Sequence, residues 1–295
     1  MDWLKKFPAM DDASLTALKK SIDLGFRDFT RAYGDYFEAA LKPVQWFMLW
    51  VERLLVQSPW PLVILAFAAI AWLASRSLKV TAGVVATLLV IGYFGMWDDT
   101  MKTIAMTVVA TLLAIVFGIP IGILMARSNR VQAFINPILD VMQTMPSFVY
   151  LIPVVMLLGI GRVPGLIAVM VYAIPPIIRL TNLGIRLVDK DVLEAADAFG
   201  SSSWQRLKNV QMPLALPTIM AGVNQTIMMA LAMVVVASMI GVQGLGLPVL
   251  KSIANQYFTL GIFNGLAIVG IAIIFDRVSQ AYGKRLQRHL EVVHG

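Results

Sequence analysis

Seven stretches of this chain, at about 60–75, 80–97, 103–126, 145–161, 163–181, 214–240 and 261–280, are apolar over lengths close to the roughly twenty residues a helix needs to cross hydrocarbon. Repeated runs of that kind leave few solutions, because a bilayer offers no water to unpaired backbone groups. The expected fold class is an all-α polytopic transmembrane helical bundle. Composition agrees: with 59% hydrophobic and 14% charged residues among 295, there is too little polar surface to coat a soluble globule.

An eighth stretch, Pro43 to Gln57, carries Trp46, Phe47, Leu49, Trp50, Leu54 and Leu55 but also Glu52 and Arg53, and it is short. An interfacial helix with Trp at headgroup depth is expected there. Before it, residues 1–42 mix both charge signs and place Leu15, Leu18, Ile22 and Phe26 on one face. No apolar run follows Lys5 and Lys6, so a cleavable signal is not expected and a surface-lying or solvent helix is. The organisation is then an N-terminal tail with an amphipathic, interfacial helix (1–57), first accessory transmembrane helices (58–102), a core transmembrane domain (103–283) holding a polar hairpin (190–212), and a basic tail (284–295).

Net charge is +7, and its distribution sets orientation. Arg76, Lys79, Arg127, Arg130, Arg179, Arg186, Lys190, Arg206, Lys208, Arg277, Lys284, Arg285 and Arg288 fall on one side of the spans, against Lys102, Arg162 and Lys251 on the other. The positive-inside bias puts the polar hairpin and the C-terminus in the cytoplasm, and the chain before Pro61 outside if the Pro43 stretch lies flat. Basic residues in short loops beside spans are not the footprint of a nucleic-acid partner.

Chemistry is narrowed by what is missing. There is no cysteine, and the two histidines, His289 and His294, sit in the basic tail, so neither a thiolate nor a histidine cluster is expected to hold a metal or act in catalysis. No GxxxxGK[ST] occurs; Gly241, Gly244 and Gly246 before Pro248 suggest a tight outer turn instead. No cofactor is expected.

The polar hairpin is locally well specified. Asp191 as N-cap with Glu194 three residues on would start a short helix at Val192, and Gly200 would end it. Ser202 and Gln205 repeat the capping pattern for a second short helix through Trp204, Leu207 and Val210, and Pro213 and Pro217 mark re-entry into lipid. On these residues alone, an ordinary loop with two helical turns and a docking surface are both open readings.

The stretch EAADAFG followed by VQMPLALPTIMAGVNQTIMMALAMVVVASMIG resembles the cytoplasmic coupling motif of binding-protein-dependent ABC importer permeases, here Glu194, Ala195, Ala196 and Gly200, then Leu216 and Pro217. LDVMQTMPSFVYLIPVVMLLGIG (139–161) and AGVNQTIMMALAMVV are similar to the permease subunits for glycine betaine, proline and choline uptake, and the likeness runs from about Trp97 to Gly283. The resemblance implies a type I ABC importer permease fold in the bacterial inner membrane. It implies partners as well: a cytoplasmic ATP-binding subunit, an extracytoplasmic substrate-binding protein and a second copy of the chain, a homodimer. Glu194, Ala195, Ala196, Gly200 and Ser201 would sit in a groove of the ATPase, Glu194 orienting the hairpin by capping or by pairing with a basic residue.

Other polar residues have two readings each. Asn224, Gln225 and Thr226 form a step inside a span, to be satisfied by interhelical hydrogen bonds or to line a substrate path. Asp140, Gln143 and Thr144 precede Pro146 and would cap the next span or serve an ion pathway. Phe148, Tyr150 and Tyr172 are the aromatics available for a quaternary ammonium. An ion-coupled secondary transporter would place ionisable groups at mid-membrane and often shows inverted repeats, neither of which the spans display. An intramembrane enzyme would need a nucleophile, base or metal ligands facing one cavity.

Overall fold

The computed structural model describes residues 9–293, with side chains as far as Arg285. Residues 1–8, with Lys5 and Lys6, lie outside the described residues, as does His294; the side chain of His289 is not described. Among the described residues every regular element is helical.

Helix α1 (Asp12–Gln57) is one element of 46 residues, so the expected solvent helix and the Pro43 stretch are continuous. Asp11 opens it, its carboxylate accepting from the Ser14 amide at 3.0 Å. Pro43 does not break it; the carbonyl it orphans, that of Ala39, lies on an exposed residue. At Ser58 and Pro59 the chain turns through 112° into α2 (Trp60–Ser75). The C-terminal part of α1 is packed as well as amphipathic: Met48 is buried in the same cluster as Met106, Tyr150 and Val234.

After α3 (Leu78–Tyr93), the 31-residue α4 (Trp97–Arg127) runs through Pro120 without interruption. The span expected over 145–161 is corrected. Helix α5 (Asn129–Thr144) ends there, the chain bends by 113°, and a 3-10 turn (Ser147–Tyr150) leads into α6 (Leu151–Leu158), too short to cross alone. The cause is Pro146, which holds the preceding Met145 extended (ψ 131°) and out of the helical region. Nor do Asp140, Gln143 or Thr144 cap the next helix: Thr144 Oγ1 bonds back to the carbonyls of Asp140 and Val141, and the Asp140 carboxylate pairs with Arg179.

Helices α7 (Arg162–Ala173) and α8 (Pro175–Arg186) join as one 25-residue span, with Pro175 and Pro176 in the first turn of α8, where a missing N–H costs little. Helix α9 (Lys190–Ala198) is the first arm of the polar hairpin. Its second arm begins as α10 (Ser203–Arg206) and runs through a π-helical stretch (Leu207–Gln211), α11 (Met212–Ala237) and a 3-10 turn to Ile240, 38 residues in all. The short α12 (Gly246–Asn255) and the long α13 (Phe258–Val293) complete the chain.

Among the described residues four helices are long and apolar enough to cross a membrane on their own, and up to six if each bent pair counts as one span. At the centre α4, α8 and α11 pack through small residues. A Cβ built on Gly118 would lie 2.4 Å from Ile177 Cγ2, and one on Gly122 2.6 Å from Thr181 Cβ, so the two helices approach almost backbone to backbone. Around this centre α2, α3 and α13 bury Val63, Leu88, Ile91, Ala267 and Ile271 against α4.

Candidate functional site

The hairpin is built by local hydrogen bonds. Asp189 is the N-cap of α9, its side chain accepting from the Asp191 amide at 3.0 Å; the expected capping box of Asp191 with Glu194 is not formed, and the helix begins at Lys190. Both aspartates qualify by type, and the one closer to the Leu187 end of α8 wins. At the other end Gly200 has φ +78°, its amide donates to the Asp197 carbonyl at 2.9 Å, and the Ser201 amide donates to the Ala196 carbonyl at 3.1 Å. These are the two bonds of a Schellman stop, which needs a left-handed residue at the Gly200 position.

Ser202 then forms the expected capping box. Its hydroxyl accepts from the Gln205 amide at 3.3 Å, and Gln205 Oε1 accepts from the Ser202 amide at 2.8 Å. Arg206 donates to Asp197 at 2.6 Å across the two arms, an exposed pair contributing less than about 1 kcal/mol on its own but fixing their angle. These bonds join the two arms and fix the turn between them.

That shape is presented outward. No residue of α9 is buried; Phe199, at the tip, is 92% exposed and Trp204, on the second arm, 62%. Glu194 and Ala195 are exposed, Ala196 and Ser201 half-buried. Glu194 makes no hydrogen bond or ion pair among the described residues, so capping and internal pairing are not its part in holding the hairpin.

The second arm is anchored deeply. Leu207 is buried against the cluster containing Met125, Leu139, Ile177 and Ala215, directly below the exposed tip. Beyond it α11 opens at Met212 with Pro213 in its first turn, as expected, but with no break before it, and Pro217 lies inside the helix. The Met212 amide bonds to the Leu207 carbonyl, five residues back, and this π register shifts the Asn209 carbonyl from the place where the Pro213 ring would strike it. Leu216 and Pro217 lie half-buried about one turn into α11. The neighbouring span is tied at the same level, Arg186 donating to the Met125 carbonyl at 2.8 Å and to Asn182 at 3.0 Å.

Further along α11, Asn224 donates to Asp276 of α13 at 3.1 Å and accepts from Ser279 at 2.6 Å, while Gln280 donates to the same carboxylate at 2.6 Å. Gln225 is exposed, and Thr226 is fully buried with its hydroxyl unpartnered. Tyr150 and Tyr172 do meet, edge to face at 5.6 Å, but Tyr150 is buried and donates its hydroxyl to the Met142 carbonyl. Phe148 is exposed and stacks on neither among the described residues.

The far end of α11 is closed by polar contacts. Arg162 donates to Glu52 of α1 at 3.0 Å and to Gln243 at 2.8 Å, the Gly161 amide donates to the Ile240 carbonyl at 3.0 Å, and the Leu245 amide to Thr103 Oγ1 at 2.9 Å. The glycine-rich segment after Ile240 is thus a packed turn. No local signal predicts Asp276–Asn224 or Glu52–Arg162, which join residues 52 and 110 apart in sequence. The Gly118–Gly122 spacing was readable, as G-x-x-x-G within an apolar run.

A family model for the binding-protein-dependent transport system inner membrane component matches residues 118–288, more than half of the chain and all of the hairpin. The chain belongs to this family. It is 44% identical over 293 residues to the glycine betaine/proline betaine transport system permease protein ProW of Escherichia coli (strain K12), covering 96% of this chain and 82% of that protein. It is 40% identical over 272 residues, 92% of this chain and 96% of the other, to the glycine betaine transport system permease protein OpuAB of Bacillus subtilis (strain 168). Among solved structures, an inward-facing conformation of the MetNI methionine ABC transporter superposes with a TM-score of 0.58 at 20% identity, over 63% of this chain and 93% of that one, which shows the shared fold. This inner membrane component is a multi-pass permease subunit, and ATP hydrolysis in such systems belongs to a separate subunit. Helices α1 to α3 and the start of α4 lie outside the family match, and α1 to α3 pack against α4, α6 and α13.

Proposed function

We propose that this permease imports a betaine-type solute, among glycine betaine, proline betaine, proline and choline, delivered by an extracytoplasmic binding protein, and that its hairpin is the cytoplasmic docking point of an ATPase. The observation that carries the docking is the projecting tip. Phe199 and Trp204 are exposed on a hairpin whose second arm is one unbroken 38-residue helix reaching the opposite end of the bundle. A partner that grips Glu194, Ala195, Ala196, Gly200 and Ser201 moves that helix as a lever, a rigid-body switch. Two ATPase sites need two grips, so the working unit holds two copies of the chain. Substrate class rests on the functions of the relatives. Of the polar and aromatic residues near the path, Gln225 and Phe148 keep exposed side chains for solute, while Asn224, Thr226 and Tyr150 support the helices that frame it.

Reconstituted in liposomes with the binding protein and the ATPase, the permease is expected to accumulate labelled glycine betaine only when ATP and both partners are present. Uptake by the purified chain alone overturns the reading. In the same assembly a Ser201→Cys variant is expected to crosslink to the ATPase through a short bifunctional reagent, and a Lys251→Cys variant, at the other end of the bundle, is not; the reverse pattern would place the hairpin outside.

A further inference from the structure

Helices α3 and α13 share a buried cluster that includes Val84, Leu88, Ile91, Ala267 and Ile271, and they approach closely at Gly270, where an added Cβ would lie 2.9 Å from Thr87 Cγ2. Towards the hairpin end the two helices border a cavity of about 270 Å³ walled by Val80, Gly83, Val84, Ile273 and Ile274. Its mouth is formed by Lys79 from one helix and Arg277 from the other. Both are exposed, and neither is in an ion pair among the described residues. Two cations at the end of an apolar slot, on the side of the bundle where Arg285 also reaches the Leu73 carbonyl at 2.8 Å, specify an amphiphile with an anionic head.

We propose that this groove binds an anionic phospholipid of the leaflet on the hairpin's side, its phosphate between Lys79 and Arg277 and one acyl chain laid along Gly83 towards Thr87. The dimensions suit it. From Lys79 to Thr87 the helix rises about 12 Å, enough for the upper half of an acyl chain. Gly83 has no atom within 4 Å of where its Cβ would be, so the floor of the slot is open and unfilled by protein. A soluble anion would use the two charges but leave the apolar walls exposed; a zwitterionic lipid would fill the walls but bring a cation to the mouth. An anionic lipid satisfies both, each basic side chain near a membrane surface contributing on the order of a fivefold gain in binding.

The test is native mass spectrometry of the full chain in detergent, titrated with dioleoylphosphatidylglycerol or dioleoylphosphatidylcholine. Wild type is expected to retain phosphatidylglycerol over phosphatidylcholine. Lys79→Gln and Arg277→Gln should each weaken that retention about fivefold, and the double variant on the order of twentyfold. Gly83→Leu keeps both charges, meets nothing that would disturb folding and fills the slot; it should lose the lipid as well while thermal unfolding stays at the wild-type temperature. Three results overturn the proposal: unchanged phosphatidylglycerol retention in the double variant, equal retention of the two lipids by wild type, or displacement of the lipid by millimolar inorganic phosphate, which would make the site one for a free anion. A disulfide-linked dimer from Gly83→Cys would show a second copy covering the groove and would overturn it too.

Discussion

Replacing Gly200 with valine is expected to cut substrate uptake at least about tenfold while ATP hydrolysis by the assembled transporter continues. Gly200 sits at φ +78° because the Schellman bonds from Gly200 to Asp197 and from Ser201 to Ala196 close only around a left-handed residue. An ordinary L-residue there costs roughly 1–2 kcal/mol, and β-branching adds to it, so the stop is displaced by a factor of about ten in population or more. Frayed at that point, the first arm loses its fixed angle to the second, and an ATPase that grips it no longer turns α11. Insertion should be unaffected, since nothing lies within 4 Å of a Cβ at Gly200. The decisive comparison is Gly200→Asn. Asparagine enters the left-handed region readily and should keep most of the uptake. Labelled uptake and phosphate release measured on the same proteoliposomes separate the cases: valine and wild type transporting equally would show that the bend plays no part in coupling.

Range in sequence decided which features were legible before the structure. The Gly200 stop and the Ser202–Gln205 box are set by residues within a few positions of one another, and both are present as read. The first arm misplaced its start by two residues because Asp189 and Asp191 are equally good caps by type, and only the position of α8 chooses between them. Apolar windows located α2, α4, the α7–α8 span, α11 and α13, since burial in lipid depends on length and composition. The same windows failed over 145–161, where averaging hid Pro146 and its 113° bend; Pro213 does sit in the first turn of α11, but a π stretch that no local signal marks joins that helix to the hairpin without a break. Asp276 was invisible as a partner of Asn224 because nothing local marks which of many polar residues a helix will meet.

The bend at Pro146 breaks an expected span, whereas the differences around the hairpin make the chain more continuous than the sequence suggested: the hairpin's second arm, the π stretch and α11 are one rod, and Asn224 fastens that rod to α13 through Asp276 and Ser279. At the rod's far end Gly161 and Ile240 join it to the start of α7, and Arg162 joins α7 to α1 through Glu52. In the proposed docking, displacement at the hairpin would pass to both neighbours and to the far end of the bundle, since no break interrupts the rod from Ser203 to Ile240.

The proposed lever would turn against α4 and α8, and Gly122 is one of the close contacts that hold those two helices together. Gly122→Leu is expected to lose most of the folded permease, read as collapse of the monodisperse peak in detergent size-exclusion chromatography. A Cβ at Gly122 would stand 2.6 Å from Thr181 Cβ and 2.7 Å from the Ile178 carbonyl oxygen, contacts that no side-chain rotation can relieve, so α4 and α8 must separate. Overpacking of this sort costs about 1–3 kcal/mol even where neighbours can shift, and here the obstacle is backbone. Separation would also pull Met125 of α4 from the Arg186 guanidinium that holds the end of α8 beside the hairpin. Gly118→Ala should be milder, because its nearest contact is the Ile177 side chain. Gly83→Leu, facing open space, should elute as wild type and controls for the added bulk. Unchanged elution of Gly122→Leu would mean that α4 and α8 are not locked at this crossing, and the hairpin would then have no fixed frame against which to turn.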